Sequence, residues 1–258
     1  MFKQYLYRVS ILNRKNSHPL EAISYYSGED QTDINNLKNY ISNTKDIVLW
    51  NGIILPDKQS SLYTHLPEYL KFRKNKNNLI SNARNILWQN VFINEKRDDA
   101  QFSRLFEVSM PYFLTLEQTK EAIIKFATNL VNEGMIADCS IHSRKKDQNN
   151  YSLIEKLISK NKIKTEENKN LIDYTGYLMC TLRTYKNGKF CNKNREWNDK
   201  KKMELWRYKW VKILTETINN ADVPTDQKNI WEKKLNIYSE YKNIKNELLN
   251  KKTRKLVP

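Results

Sequence analysis

The chain has 258 residues, room for one large α+β domain or a domain with an appendage, and 45 Lys+Arg against 29 Asp+Glu give it a formal net charge of +16. Its opening, "MFKQYLYRVSILN", alternates rather than running unbroken like a secretory leader, and no stretch reaches the roughly 18 apolar residues of a membrane helix. Cys139, Cys180 and Cys191 lack CxxC or paired spacing, which argues against a disulfide framework or zinc knuckle; the basic, aromatic-rich balance points instead to a nucleic acid, DNA or RNA.

In chain order, residues 4–12 alternate with Tyr5, Tyr7, Val9 and Ile11 on one face and Leu6, Arg8 and Ser10 on the other, which predicts a strand. In "HPLEAISYYSGED", Ser17 is placed to cap a helix with Pro19 in its first turn, and Gly28 breaks it. Leu20, Ile23 and Ser24 share one face of that helix, Glu21 and Tyr25 another, so Tyr25 need not enter the core. "DIVLWNGIILP" (46–56) reads as a strand interrupted by a turn at Asn51-Gly52. A polar loop over 57–78 leads to a helix over 78–97, with Leu79, Ala83, Ile86, Leu87 and Val91 in one stripe.

Residues 104–110 alternate again, and Pro111 ends the run. Residues 115–134 give the clearest helix, opened by a Thr115/Gln118 capping box and closed by Gly134. Strands are expected at 135–142 and 173–185, separated by a charged excursion over 143–171. A Trp-rich helix over 199–220 and a last helix over 226–250, running into the basic tail "KKTRK", complete the chain. The order predicts an antiparallel or mixed sheet with helices packed on it.

Several stretches then carry a resemblance, in matching order, to the MobA/MobL (MobQ-type) mobilisation relaxases. "AISYYSGED" resembles that family's Tyr-x-Ser-Gly-Glu segment, and "LWQNVFINEKRDDAQFSRLFEVSMP" its Glu-Lys-Arg-x-Asp-Ala-Gln segment. "GMIADCSIH" agrees nearly letter for letter, and "FCNKNREWN" and "RYKW" resemble its Lys-x-Arg-x-Trp-Asn and Arg-x-x-Trp segments. The resemblance spans about residues 1–220, leaving 221–258 as a helical, basic C-terminal extension. It implies an α+β, HUH-relaxase-like fold, a central antiparallel sheet flanked by helices.

It also implies a chemistry. A tyrosine attacks a DNA phosphodiester while a divalent metal held by three histidines polarises the phosphate. Tyr25 falls on the nucleophile position and His142 on the first histidine. The family's His-x-His pair falls on Thr175 and Tyr177, and the chain's other histidines, His18 and His65, are distant in sequence and read as incidental surface residues. Strand alternation puts Ile136, Asp138, Ser140 and His142 on one face, so a Mg²⁺ or Mn²⁺ site built from Asp138, Glu107 and His142 is the replacement the sequence offers if the protein is active. Otherwise no cofactor is expected.

Two functions follow. One is a working relaxase that nicks single-stranded DNA at an origin of transfer through Tyr25. The other keeps the scaffold as an accessory or structural DNA or RNA binder, with nicking impaired or lost, within a larger nucleoprotein assembly. In that second reading Lys96, Arg97, Arg104, Lys193, Arg195, Arg207 and Lys209 contact phosphates, and Trp197, Trp206 or Trp210 offer rings to bases. The lack of a targeting signal fits a cytoplasmic protein, or one in the matrix of an organelle with an AT-rich genome.

Overall fold

The computed structural model describes residues 7–33, 36–44, 46–56, 77–111, 113–143, 174–186, 189–225 and 228–229. The first half runs β1 (Tyr7–Asn13), α1 (Pro19–Ser27), β2 (Gln31–Asp33), β3 (Lys38–Tyr40), β4 (Ile47–Ile54), α2 (Asn77–Asn94) and β5 (Gln101–Met110). The second runs α3 (Leu116–Val131), β6 (Ala137–Ser143), β7 (Tyr174–Thr181), β8 (Arg183–Lys186), β9 (Lys189–Lys193), a 3-10 turn at Arg195–Asn198 and α4 (Lys200–Asn219). His65, the loop expected over 57–78 up to residue 76, all but Ser143 of the excursion and most of the C-terminal extension lie outside the described residues.

Five strands form one sheet in the order β1-β5-β7-β6-β4, and every neighbouring pair is antiparallel. This is the α+β architecture expected above. α3 and α4 cover one face over a core that includes Phe106, Val108, Cys139, Leu178, Phe126, Trp206 and Trp210. α1 and α2 cover the other through Leu20, Ile23, Leu87, Trp88 and Val91, packed on Leu105, Ile136 and Met179. Gly176 in β7 makes the first packing possible, because a Cβ there would run into Ile123 of α3 and Val108 of β5.

The best-signalled helix forms as read. Thr115 Oγ1 accepts the Gln118 N–H, Gln118 Oε1 accepts the Thr115 N–H, and Gly134 (φ 102°) turns the chain away into β6. Three local readings give way to tertiary structure. The cap of α1 is His18, not Ser17: its Nδ1 accepts the Leu20 N–H at 3.2 Å, while its ring stacks on Tyr40 and packs against Phe92. Asn51-Gly52 makes no turn, because β4 runs straight through it against β6 and its only irregularity is a bulge between Val48 and Trp50. The strand expected over 173–185 breaks after Thr181, and Arg183–Lys186 pairs with β9 in a separate two-stranded sheet.

Candidate functional site

The site is built at the C-terminal end of α1. Gly28 takes the left-handed conformation (φ 72°) and its N–H closes the helix on Ser24 O; a Cβ there would meet Val48 of β4, so α1 ends in close contact with the sheet. Asn51 Nδ2 donates to Ser27 O at 3.0 Å and to the Glu29 carboxylate at 3.1 Å. Glu29 also pairs with Arg84 of α2 at 2.5 Å. Arg84 reaches through to Asp138 of β6 with Nε–O distances of 3.1 and 2.9 Å, and Trp88 Nε1 donates to the same carboxylate at 3.0 Å. Burial opposes the Arg84 charge, but Asp138 and Glu29 outweigh it and hold the guanidinium pKa above its usual value. The polar part of the Tyr-x-Ser-Gly-Glu segment is therefore a clamp that holds two tyrosines over the sheet.

Those tyrosines meet His142. Tyr25 is half-buried, with its ring centroid 5.2 Å from that of Tyr26 and 6.4 Å from that of His142. Tyr26 packs on Tyr177 at 5.0 Å, and Tyr177 lies edge-on to His142 at 4.7 Å. His142 is fully buried, and its Nε2 lies 2.6 Å from Tyr26 O. A carbonyl only accepts, so Nε2 carries the proton and Nδ1 the lone pair. Nδ1 makes no hydrogen bond among the described residues and faces the Asp46 carboxylate at 3.8 Å. Burial lowers the His142 pKa against the opposing pull of Tyr26 O and Asp46, leaving a neutral imidazole at pH 7. Burial likewise pushes Tyr26 up to about 12 and Tyr177 further, so both phenols stay protonated.

Among the described residues no three imidazoles are brought together to hold a metal. β7 pairs Thr175 with His142 and Tyr177 with Ser140, so both side chains reach the face where the family's His-x-His would stand, as a hydroxyl and a high-pKa phenol. The substitute set read from the sequence does not converge either. Asp138 is four residues from His142 along one strand, about 13 Å, and its carboxylate is held by Arg84 and Trp88. Glu107 lies on β5, two strands from His142 and about 10 Å across the sheet, beside Arg8 at 4.0 Å. Among the described residues no three His, Cys, Asp or Glu side chains are grouped to hold a metal.

The seven candidate phosphate contacts scatter. Arg104 is fully buried under α4, with Nη2 bonded to Asn198 at 2.7 Å and its guanidinium over Trp206, so it is removed from the phosphate-contact set. Trp197, Trp206 and Trp210 are buried as well and form core rather than base platforms. Arg207 and Lys209 lie on α4, across the sheet from Tyr25, and Lys209 pairs with Glu133 at 3.3 Å. Lys193 is held by Glu95 at 2.8 Å and Arg97 by Asp99, while Lys96 and Arg195 are exposed. Sequence reading missed Arg84, Asn51 and Asp46. Glu29 and Asp138 were visible in motifs, but nothing local named the arginine that joins them.

A five-stranded antiparallel sheet with helices on both faces is the fold class expected of a relaxase-like protein. The sequence model of the MobA/MobL family matches residues 19–252, and the chain belongs to that family. Its function is accordingly relaxase-related DNA binding, of the kind used in plasmid mobilisation. A solved structure described as the molecular basis of vancomycin resistance transfer in Staphylococcus aureus shares the fold, with a TM-score of 0.59 at 21% identity over 84% of this chain and 94% of that one. No curated protein matches the sequence significantly. Among the described residues no helix is long and apolar enough to cross a membrane.

Proposed function

We propose that this protein is a relaxase descendant that binds single-stranded nucleic acid, DNA first, at the Tyr25 face, with metal-dependent nicking impaired or lost. The observation that carries this reading is Tyr177. A neutral phenol packed edge-on to His142 occupies the place of an imidazole ligand, and metal affinity falls steeply when ligands are removed. The protein then serves as an accessory or structural binder in a cytoplasmic nucleoprotein assembly. Residues 1–220 act as the relaxase-like unit and the basic extension after them adds affinity.

One observation favours a second reading. Tyr25 lies beside an imidazole whose Nδ1 faces Asp46 and makes no hydrogen bond among the described residues, so an acceptor remains available near the phenol. In that reading the Tyr25 oxygen bonds to phosphorus as the bond to the 3′ oxygen breaks. The 5′ phosphate stays on Tyr25, and the phenol's proton ends on the released 3′ hydroxyl.

The deciding experiment mixes the protein with supercoiled plasmid and single-stranded oligonucleotides, with Mg²⁺ or Mn²⁺, beside Tyr25→Phe. Salt-sensitive binding shared by both proteins, with no SDS-resistant adduct, is the expected outcome. An adduct that disappears in Tyr25→Phe would establish a working nuclease and overturn the first reading.

A further inference from the structure

A cavity of about 470 Å³ opens between α1 and the β2–β3 hairpin, with Tyr25 and Tyr26 on one wall and Lys38, Asn39, Tyr40 and Ile41 on the other. Small-ligand sites run from about 300 to 1,000 Å³, so it has room for one nucleotide. Its chemistry is mixed in the way a base requires. Tyr40 supplies a ring, held in place by stacking on His18 at 4.7 Å, and Asn39 supplies an exposed side-chain amide able to pair with a base edge. Lys38 stands 4.7 Å over the same Tyr40 ring, so a base stacking there takes the place of the Lys38 ammonium and leaves it to meet the nucleotide's phosphate.

The hairpin also exposes apolar residues that nothing among the described elements covers. Ile41 is 74% exposed and Leu37 88%, and Leu37 holds a left-handed backbone (φ 52°) that a leucine rarely adopts. Both flank the segment Lys38–Tyr40 that walls the cavity. Exposed aliphatic groups beside an aromatic ring, an amide and a lysine suit the flat apolar face and polar edge of an unpaired base.

We propose that this cleft receives a single unpaired nucleotide of the bound strand, next to the phosphate that lies at Tyr25. Lys38 takes its phosphate, Asn39 its base edge, and Ile41 with the tyrosines its faces. The inference rests on the reading that the Tyr25 face binds single-stranded DNA, and it makes the β2–β3 hairpin the element that sets base preference.

The test uses the full chain and fluorescein-labelled dA, dC, dT and mixed-sequence oligonucleotides of about 20 nucleotides, with a duplex of the mixed sequence alongside, read by anisotropy over a salt series. Asn39→Ala and Ile41→Ser should each weaken single-strand binding about 5- to 10-fold and narrow the differences among dA, dC and dT, with little effect on the duplex. Lys38→Ala should weaken all the single strands alike and reduce the salt slope by about one contact. If the wild-type chain binds single strands and these variants bind them equally well, or lose duplex binding in equal measure, the nucleotide pocket is overturned while the binding reading stands. A wild-type chain that binds no single strand overturns both. Unchanged melting temperatures in the exposed-residue variants separate lost contacts from lost fold.

Discussion

Among the described residues each face of the sheet buries one arginine, and the two are treated in opposite ways. Under α1 and α2, Arg84 has no exposed surface and is met by two carboxylates, an amide oxygen and a neighbouring indole that shares Asp138. Under α4, Arg104 is equally buried but among the described residues its hydrogen bond is to Asn198, with Nε and Nη1 unpartnered there and the Trp206 ring nearby. Burial lowers its pKa against the weaker opposing pull of Tyr7 and Cys180. The contrast separates two jobs. Arg84 ties the end of α1 to α2, β4 and β6, and so fixes where Tyr25 stands; Arg104 fills space in an aromatic core that would exist without its charge.

That difference is open to direct attack. Arg84→Met leaves Asp138 and Glu29 without their partner, and breaking such a buried pair costs about 3–5 kcal/mol. Urea denaturation should show it, and Arg84→Met combined with Asp138→Leu should recover part of the loss, because the fully buried carboxylate is then gone and the charge left without its arginine is the part-exposed Glu29, which keeps its bond from Asn51. The same double variant should still bind single-stranded DNA more weakly than wild type, since α1 has lost its anchor. Full binding by the double variant would mean that the clamp serves stability alone.

Arg104→Met is expected to do much less. It replaces a poorly compensated buried guanidinium by an unbranched apolar chain, so stability should stay within about 1 kcal/mol of wild type or rise. DNA affinity should not change, because Arg104 has no surface from which to meet a phosphate. A stability loss matching that of Arg84→Met would erase the distinction between the faces. A loss of affinity at constant stability would return Arg104 to the binding surface.

The same contrast explains what could be read in advance. The apolar face is legible because its signals are local or periodic. The Thr115/Gln118 box starts α3, Gly134 ends it, and the alternation of β6 sends Cys139 and Ile141 to one side and Asp138, Ser140 and His142 to the other. The polar face depends on partners far apart in the chain. Arg84 and Asp138 are 54 residues apart, and neither predicts the other. Asn51-Gly52 has the composition of a hairpin turn, yet Asn51 is engaged by Ser27 O and Glu29 and its strand is paired with β6. Formal charge marked Arg104 and Lys209 as phosphate contacts because it carries no information about burial or about Glu133. For the metal set the strand rise alone already contains the relevant geometry, since Asp138 and His142 stand four residues, about 13 Å, apart on one strand.

The smallest expected effect is a pH dependence confined to the α1 side. His18 caps α1 through Nδ1, which must be unprotonated to accept the Leu20 N–H. Burial is the main force lowering its pKa, with Lys38 and Arg14 adding to it and Asp33 and Glu21 opposing. A histidine whose folded pKa lies below its unfolded value of about 6.5 takes up its proton first in the unfolded chain. The stability it contributes is therefore complete above pH about 6.5 and is lost as pH falls below that, until the folded pKa has been passed. His142 shifts in the same direction, so the wild-type protein should lose stability between about pH 6.5 and 5, where ordinary carboxylates are still ionised. Asn also caps well, so His18→Asn keeps an acceptor at the helix start but removes the titration. Urea midpoints at pH 7.5 and 5.5 should lie closer together in His18→Asn than in wild type, even though the loss of stacking on Tyr40 lowers both. An unchanged pH slope would mean that protonating His18 and losing its cap costs the fold little, and would leave His142 as the group on this face that makes the fold sensitive to acid.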